Sequence, residues 1–84
     1  MTTVVNIRHD EYDIWIARGG QWGNPFTIGV DGTREEVIAK YETWLLAQPT
    51  LLRQLPMLKG KRLGCFCAPQ ACHGDILKKL VDNG

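Results

Sequence analysis

The stretch KRLGCFCAPQACHGDILKKL, residues 61–80, narrows the fold more than any other part of the chain. KRLGCFC (61–67) reads as a strand, APQA (68–71) as a turn, and CHGDILKKLVDNG as a helix that starts around Cys72 to Asp75. Ile76, Leu77, Leu80 and Val81 recur at helical spacing and give that helix an apolar face. A strand that turns directly into a helix is the repeating unit of α/β domains. All three cysteines and one of the two histidines lie in this one stretch.

The remaining segments fit the same class. TVVNI (3–7) is β-branched and reads as a first strand; YDIWIA (12–17) alternates and reads as a second, with RHDE as a turn between them. RGGQWGNPFTIGVDG (18–32) holds five glycines and a proline and is mostly loop, with a short strand at 26–28. TREEVIAKYETWLLAQ (33–48) is the strongest helix. Thr33 and Glu36 form a capping box, and Glu35 and Glu36 suit the positive end of the helix dipole. Val37, Ile38, Tyr41, Trp44 and Leu45 make one apolar stripe, which places Tyr41 and Trp44 in the core. Pro49 ends this helix near Gln48, and TLLRQLPML (50–58) reads as a second, short helix stopped near Pro56.

The 84 residues make one domain, 1–84. The expected fold is a small α/β domain: a short sheet of three to four strands, packed by two to three helices, with a strand-loop-helix Cys/His turn. A chain this short buries roughly 60–65% of its unfolded surface, so it folds alone with little margin. Net charge is +1 and selects no partner by itself. Residues 1–58 carry five Lys/Arg and seven Asp/Glu, net −2, and residues 59–84 carry five and two, net +3. That is a mild bias toward an anion near the C-terminal part. An odd number of cysteines argues against a secreted disulfide scaffold. MTTVVNIRHD lacks the basic and apolar regions of a signal peptide, and no apolar run approaches membrane-spanning length. The expected compartment is cytoplasmic, with no membrane partner.

The cysteine turn supports three readings. In the first it is a ligand or thiol pocket. A helix N-terminus exposes unpaired N–H groups and eases ionisation of a nearby thiol. Cys72, His73 and Asp75 are then the candidate catalytic residues, Asp75 equally serving as a helix cap, and Cys65 joins the ligand-binding set. A redox pair of Cys67 and Cys72 across the turn belongs to this reading. In the second, Cys65, Cys67, Cys72 and His73 hold zinc; the ligand count is right, but Cys-x-Cys on a strand and adjacent Cys-His are awkward chelating pairs. In the third, the cysteines are small buried hydrophobes. The first reading takes no cofactor and no metal.

RGGQWGNPF (18–26) lacks any dinucleotide or P-loop fingerprint. Glycines still let backbone approach a ligand closely, so Gly19 and Gly20 are candidates for such an approach. Arg18 grips a phosphate or carboxylate, Trp22 stacks on a ring, and Asn24 reads a polar edge or caps a turn before Pro25. The alternative is an ordered loop with Trp22 plugging the core.

VVNIR, DIWIARGGQWGNPFTIG, GTREEVIAKYETWL and KGKRLGCFCAPQACHGDIL together resemble the family known as domain of unknown function 4326. Its members are small phage and bacterial proteins, which implies a bacterial or phage-infected cell as the setting. The Cys-turn-Cys-His segment is also similar to a second family, domain of unknown function 488. That family typically has an acidic residue at the place of Cys67 and an arginine at the place of Gly74. The likeness implies Cys65, Cys72 and His73 as the shared constellation, with Cys67 dispensable.

Two functions follow as expectations. The first is a pocket between RGGQWGNPF and CAPQACHGD for a small anionic, nucleotide- or nucleoside-like ligand. Any reaction there would be transfer or hydrolysis at a nucleoside-like substrate. The second is a zinc-stabilised structural module that binds a host protein without catalysis. Nucleic acid is disfavoured as a partner, because no recognition helix or aromatic sheet motif is present.

Overall fold

The strand-to-helix unit at 61–80 forms, and the rest of the chain is built around it. The computed structural model describes residues 2–68 and 70–83. In chain order the elements are β1 (Thr3–Asn6), β2 (Ile14–Trp15), α1 (Arg34–Leu46), α2 (Pro49–Gln54), a 3-10 turn (Leu55–Leu58), β3 (Arg62–Cys65) and α3 (His73–Asn83). The described residues form a small α/β domain with three helices and one three-stranded parallel sheet, in the order β1-β3-β2. Thr3 to Asn6 pair with Arg62 to Cys65, and Ile14 and Trp15 pair with Leu63 and Gly64.

Alternation along β3 explains its central place. Leu63 and Cys65 are buried at 0% and 1% exposure, and they join the core with Ile16, Tyr41, Leu45 and Leu77. Gly64 points to the opposite face. A Cβ there would lie 2.8 Å from the Tyr12 ring and 2.9 Å from the Ile7 side chain. The short link between β1 and β2 therefore crosses directly over β3, and only glycine leaves it room. The expected turn at RHDE exists, with the amides of His9 and Asp10 bonded to the Asn6 carbonyl. It leads to a parallel strand on the far side of β3.

Three expected boundaries shift. The strand expected at 12–17 is reduced to Ile14–Trp15, because it pairs only along β3. The strand at 26–28 is a single bridge between Ile28 and Gly32. Pro49 both ends the first helix and opens the second, where its missing N–H is harmless, and Pro56 falls inside the 3-10 turn. The expected turn at 68–71 includes Pro69, which lies outside the described residues; the Gln70 N–H meets the Cys67 carbonyl at 2.8 Å.

The helices follow their sequence signals. Thr33 caps α1, with both hydrogen bonds of the capping box to Glu36 present. Val37, Tyr41 and Leu45 form the buried stripe of α1, while Ile38 and Trp44 are half-buried beside it. The first turn of α3 lies hard against the sheet: a Cβ on Gly74 would sit 2.8 Å from Ile16 and 3.1 Å from Val4. That contact sets the N-terminus of α3 at the carboxyl ends of the strands, where open parallel sheets place their ligand crevices. At the other end, Thr2 donates to Asp82 at 2.8 Å and accepts from the Gly60 N–H at 3.0 Å. Among the described residues, no helix is long and apolar enough to cross a membrane.

Candidate functional site

A cleft of about 230 Å³ opens at the carboxyl edge of the sheet. Its floor is made by Cys65, Cys72 and His73; Ala17 and Arg18 contribute from the chain just after β2, and Arg34, Val37 and Ile38 from α1. Asn24, Phe26, Ile28, Phe66, Cys67 and Ala71 complete the walls. The cleft therefore joins the glycine-rich loop to the cysteine turn, two segments far apart in sequence. Its walls are mostly apolar. Among the described residues that line it, the charged side chains are two arginines and none is a carboxylate.

The cysteines divide unequally. Cys65 and Cys72 are buried, and their sulfurs lie 3.3 Å apart. Cys72 is also the cap of α3: its Sγ accepts the Gly74 N–H at 3.3 Å, while its own N–H goes to the Asp75 carboxylate at 3.1 Å. The two sulfurs are within hydrogen-bond distance of each other. The Cys72 S–H holds the Cys65 thiol down to about 6, helped by the amides of Ala68 and Cys67 and opposed by burial. Cys72 is correspondingly pushed far up, first by its bond to Cys65 and then by burial. Cys67 is half-buried in the cleft wall and stands outside the pair. The pairing expected between Cys67 and Cys72 is thus replaced by Cys65 and Cys72. The reason is that β3 ends at Cys65, so strand alternation does not carry on to Cys67.

His73 and Asp75 have structural duties. The His73 Nε2 bonds the Ile16 carbonyl, and its ring packs edge-on against Tyr41 with centroids 5.0 Å apart. Burial lowers its pKa, with a bond to Ile16 opposing and Arg18 adding to the effect, so the ring is neutral. Asp75 stands at the third helical position, is exposed, and completes the cap with Cys72. Both of these expected catalytic residues are thus engaged in the fold, His73 at the Ile16 carbonyl and Asp75 at the helix cap. The four-ligand zinc set of Cys65, Cys67, Cys72 and His73 finds no support in this geometry. The His73 Nε2 is committed to a carbonyl, and among the described residues no three metal-ligating side chains cluster.

The cysteine turn is clamped from outside. Asn6, at the end of β1, donates through Nδ2 to the Ala68 carbonyl at 2.8 Å and the Phe66 carbonyl at 3.4 Å. Arg34 donates to the Ala71 carbonyl at 2.9 Å and the Gln70 side chain at 3.3 Å. Neither residue was singled out from the sequence, yet both carried a signal. Asparagine is a poor strand residue, and a cation in the first turn of a helix opposes the dipole.

In the glycine-rich loop, Arg18 reaches the cleft rim and donates to the Phe26 carbonyl at 2.9 Å. Trp22 does not reach it. Its side chain is 3% exposed in the core, and the Tyr41 hydroxyl donates to its carbonyl at 2.7 Å. The rings at the cleft are Phe26 and Phe66. Asn24 lines the cleft, but its amide is engaged: Nδ2 donates to the Val37 carbonyl at 3.2 Å and Oδ1 accepts the Phe26 N–H at 2.9 Å. Gly19 and Gly20 lie outside the lining. Gly19 has φ +100°, and the Gly20 N–H closes onto the Ala17 carbonyl at 3.3 Å, so these glycines shape the loop's own turn.

Comparison with known proteins identifies the chain as a member of the family described as Domain of unknown function (DUF4326), whose model matches residues 3–83. It is 37% identical over 85 residues to an uncharacterised 12.4 kDa protein of the nrdA-td intergenic region of Enterobacteria phage T4, covering 95% of this chain and 77% of that one. It is 34% identical over 74 residues to the uncharacterised protein R718 of Acanthamoeba polyphaga mimivirus, covering 79% of this chain and 56% of that protein. No solved structure matches. These comparisons do not show the expected likeness of the cysteine turn to family 488.

Proposed function

We propose that this DUF4326 domain binds a small anionic, nucleotide- or nucleoside-like ligand in the cleft between the glycine-rich loop and the cysteine turn. The observation that carries this reading is the pairing of Arg18 and Arg34 at a mostly apolar cleft that, among the described residues, no carboxylate lines. Each guanidinium gives one or two of its five N–H groups to a carbonyl or amide oxygen, and the rest are available to a phosphate or carboxylate. Phe26, Phe66 and Ile38 offer apolar surface to a base or sugar. The volume lies below the range of about 300–1,000 Å³ usual for drug-sized ligands. It suits a mononucleotide or a fragment of one. Where chemistry takes place, the thiol pair is the nucleophile within reach, because His73 and Asp75 are committed elsewhere.

The test is a melting-shift series with AMP, GMP, CMP, UMP and inorganic phosphate. A ligand at ten times its Kd stabilises by about 1.4 kcal/mol. For a domain of this size that is a rise of roughly 5–10 °C in Tm. The expected result is such a rise with at least one nucleotide, abolished by Arg18→Ala and by Arg34→Ala. Melting unchanged by every nucleotide, or a shift that survives both substitutions, overturns the reading.

A further inference from the structure

The thiol pair has a chemistry of its own. Cys65 and Cys72 are 1% and 3% exposed, so a reagent meets them only from the cleft they line. Their sulfurs are 3.3 Å apart, in contact and short of a bond by little more than 1 Å, since a disulfide spans about 2.05 Å. Both belong to well-anchored backbone. Cys65 is the last residue of the central strand, and Cys72 caps α3 through the Gly74 N–H. A single exposed cysteine reacts wherever it is struck. Two sulfurs held against each other at the bottom of a cleft favour one partner, each other.

We propose that Cys65 and Cys72 form a reversible dithiol–disulfide couple, exchanging with small anionic disulfides that enter the cleft past Arg18 and Arg34. The Cys65 thiolate attacks one sulfur of the entering disulfide; a Cys65–substrate S–S bond forms, the substrate's own S–S bond breaks, and the first thiolate leaves. Cys72 then gives its proton to that thiolate and attacks the Cys65 sulfur, so that the Cys65–Cys72 bond forms and the second thiolate departs. One thiolate, one thiol and one disulfide become one intrachain disulfide, one small thiol and one small thiolate. The entering disulfide is the oxidant, and excess small thiol runs the sequence backwards. The Cys65 and Cys72 couple stands independently of the anion reading; only the preference for anionic disulfides rests on it.

The experiment exposes fully reduced protein, without oxygen, to oxidised glutathione or to the neutral hydroxyethyl disulfide. It is followed by acid quench, maleimide trapping, mass spectrometry and peptide mapping. The expected product is a monomer lighter by about 2 Da, linked between Cys65 and Cys72, with one maleimide on Cys67. Dithiothreitol restores all three thiols. Cys67→Ser leaves the link intact, and Cys72→Ser stops at a mixed disulfide on Cys65. Oxidised glutathione reacts several-fold faster than the neutral disulfide, and Arg18→Ala removes the difference. A link through Cys67, a link between chains, or three maleimides after both treatments overturns the couple. Equal rates for the two disulfides, with the Cys65–Cys72 link formed, overturn the anionic substrate class and count against the anion reading, while the couple itself is upheld.

Discussion

The two segments that build the cleft are held in opposite ways. The glycine-rich loop anchors itself inward. Trp22 is swallowed by the core, its carbonyl takes the Tyr41 hydroxyl, and Asn24 is tied to Val37 on α1. The cysteine turn is gripped from outside, by Asn6 from β1 and Arg34 from α1, and its own reactive groups face the cleft floor. Trp22 and Asn24, which look like ligand handles in the first loop, therefore do structural work, while Arg18 stays at the cleft rim. In the second, the buried Cys65 and Cys72 sit side by side at the cleft, where the proposed thiol chemistry would take place. Residue type alone does not assign a role; the direction from which a loop is anchored does.

Substitutions in the two segments should separate these roles. Trp22→Ala empties a core site and is expected to destabilise by about 3–5 kcal/mol, read by urea unfolding. A loss under 1 kcal/mol would place Trp22 outside the core and return it to the ligand. Asn6→Ala removes the clamp on the cysteine turn and should cost about 1–2 kcal/mol. It should also quicken alkylation of Cys65 by iodoacetamide, and unchanged alkylation would mean the turn needs no outside grip. Arg18→Ala, at the rim, should move stability by no more than about 0.5 kcal/mol, so its effect on ligand is not an effect on folding.

The thiol pair predicts a pH profile. The folded Cys65 thiol ionises at about 6, against 9.0 for an ordinary thiol. The folded chain thus binds fewer protons than the unfolded chain across that window, and stability rises with pH from about 6 toward 9. The contribution is lost as pH falls through about 6. Cys72 acts in the opposite sense. Its raised pKa keeps a proton that the unfolded chain gives up, so stability turns down above 9.0. Buried neutral His73 adds a rise with pH below 6.5. Denaturation from pH 5 to 10 should show a maximum near 9. In Cys72→Ala, which keeps the Cys65 thiol and removes the donor beside it, the maximum should flatten, and an unaltered profile would mean that Cys72 does not act on the Cys65 thiol.

Much of the fold was legible because its signals are local. The Thr33–Glu36 capping box, the Val37–Tyr41–Leu45 stripe and the strand-turn-helix at 61–80 each lie within a few residues. The strand pairing was not, because β1 and β2 meet through β3, a distant strand, and nothing local announces that pairing. The site divides along the same line. Cys65, Cys72 and Arg18 stood out by residue type and clustering. Trp22 was ambiguous in sequence, since the Tyr41 hydroxyl that fixes its loop comes from another element. Arg34 was hidden within a helix whose stripe drew attention elsewhere, although its misfit with the dipole marked it. His73 and Asp75 were read for their chemistry, whereas the carbonyl of Ile16 and the amide of Cys72 decide what they do.

The central claim is that a small anion binds between Arg18 and Arg34 above the thiol pair. Its most direct measurement is an NMR titration of isotope-labelled, reduced protein with the mononucleotide that gives the largest melting shift, or with all four in turn if none shifts. The account predicts saturable movement of the Arg18 and Arg34 Nε–H signals and of the Cys67, Cys72 and Gly74 amides, with the basic C-terminal helix residues Lys78 and Lys79 unmoved. Movement confined to Lys78 and Lys79, or none at any of these positions up to millimolar nucleotide, would contradict it.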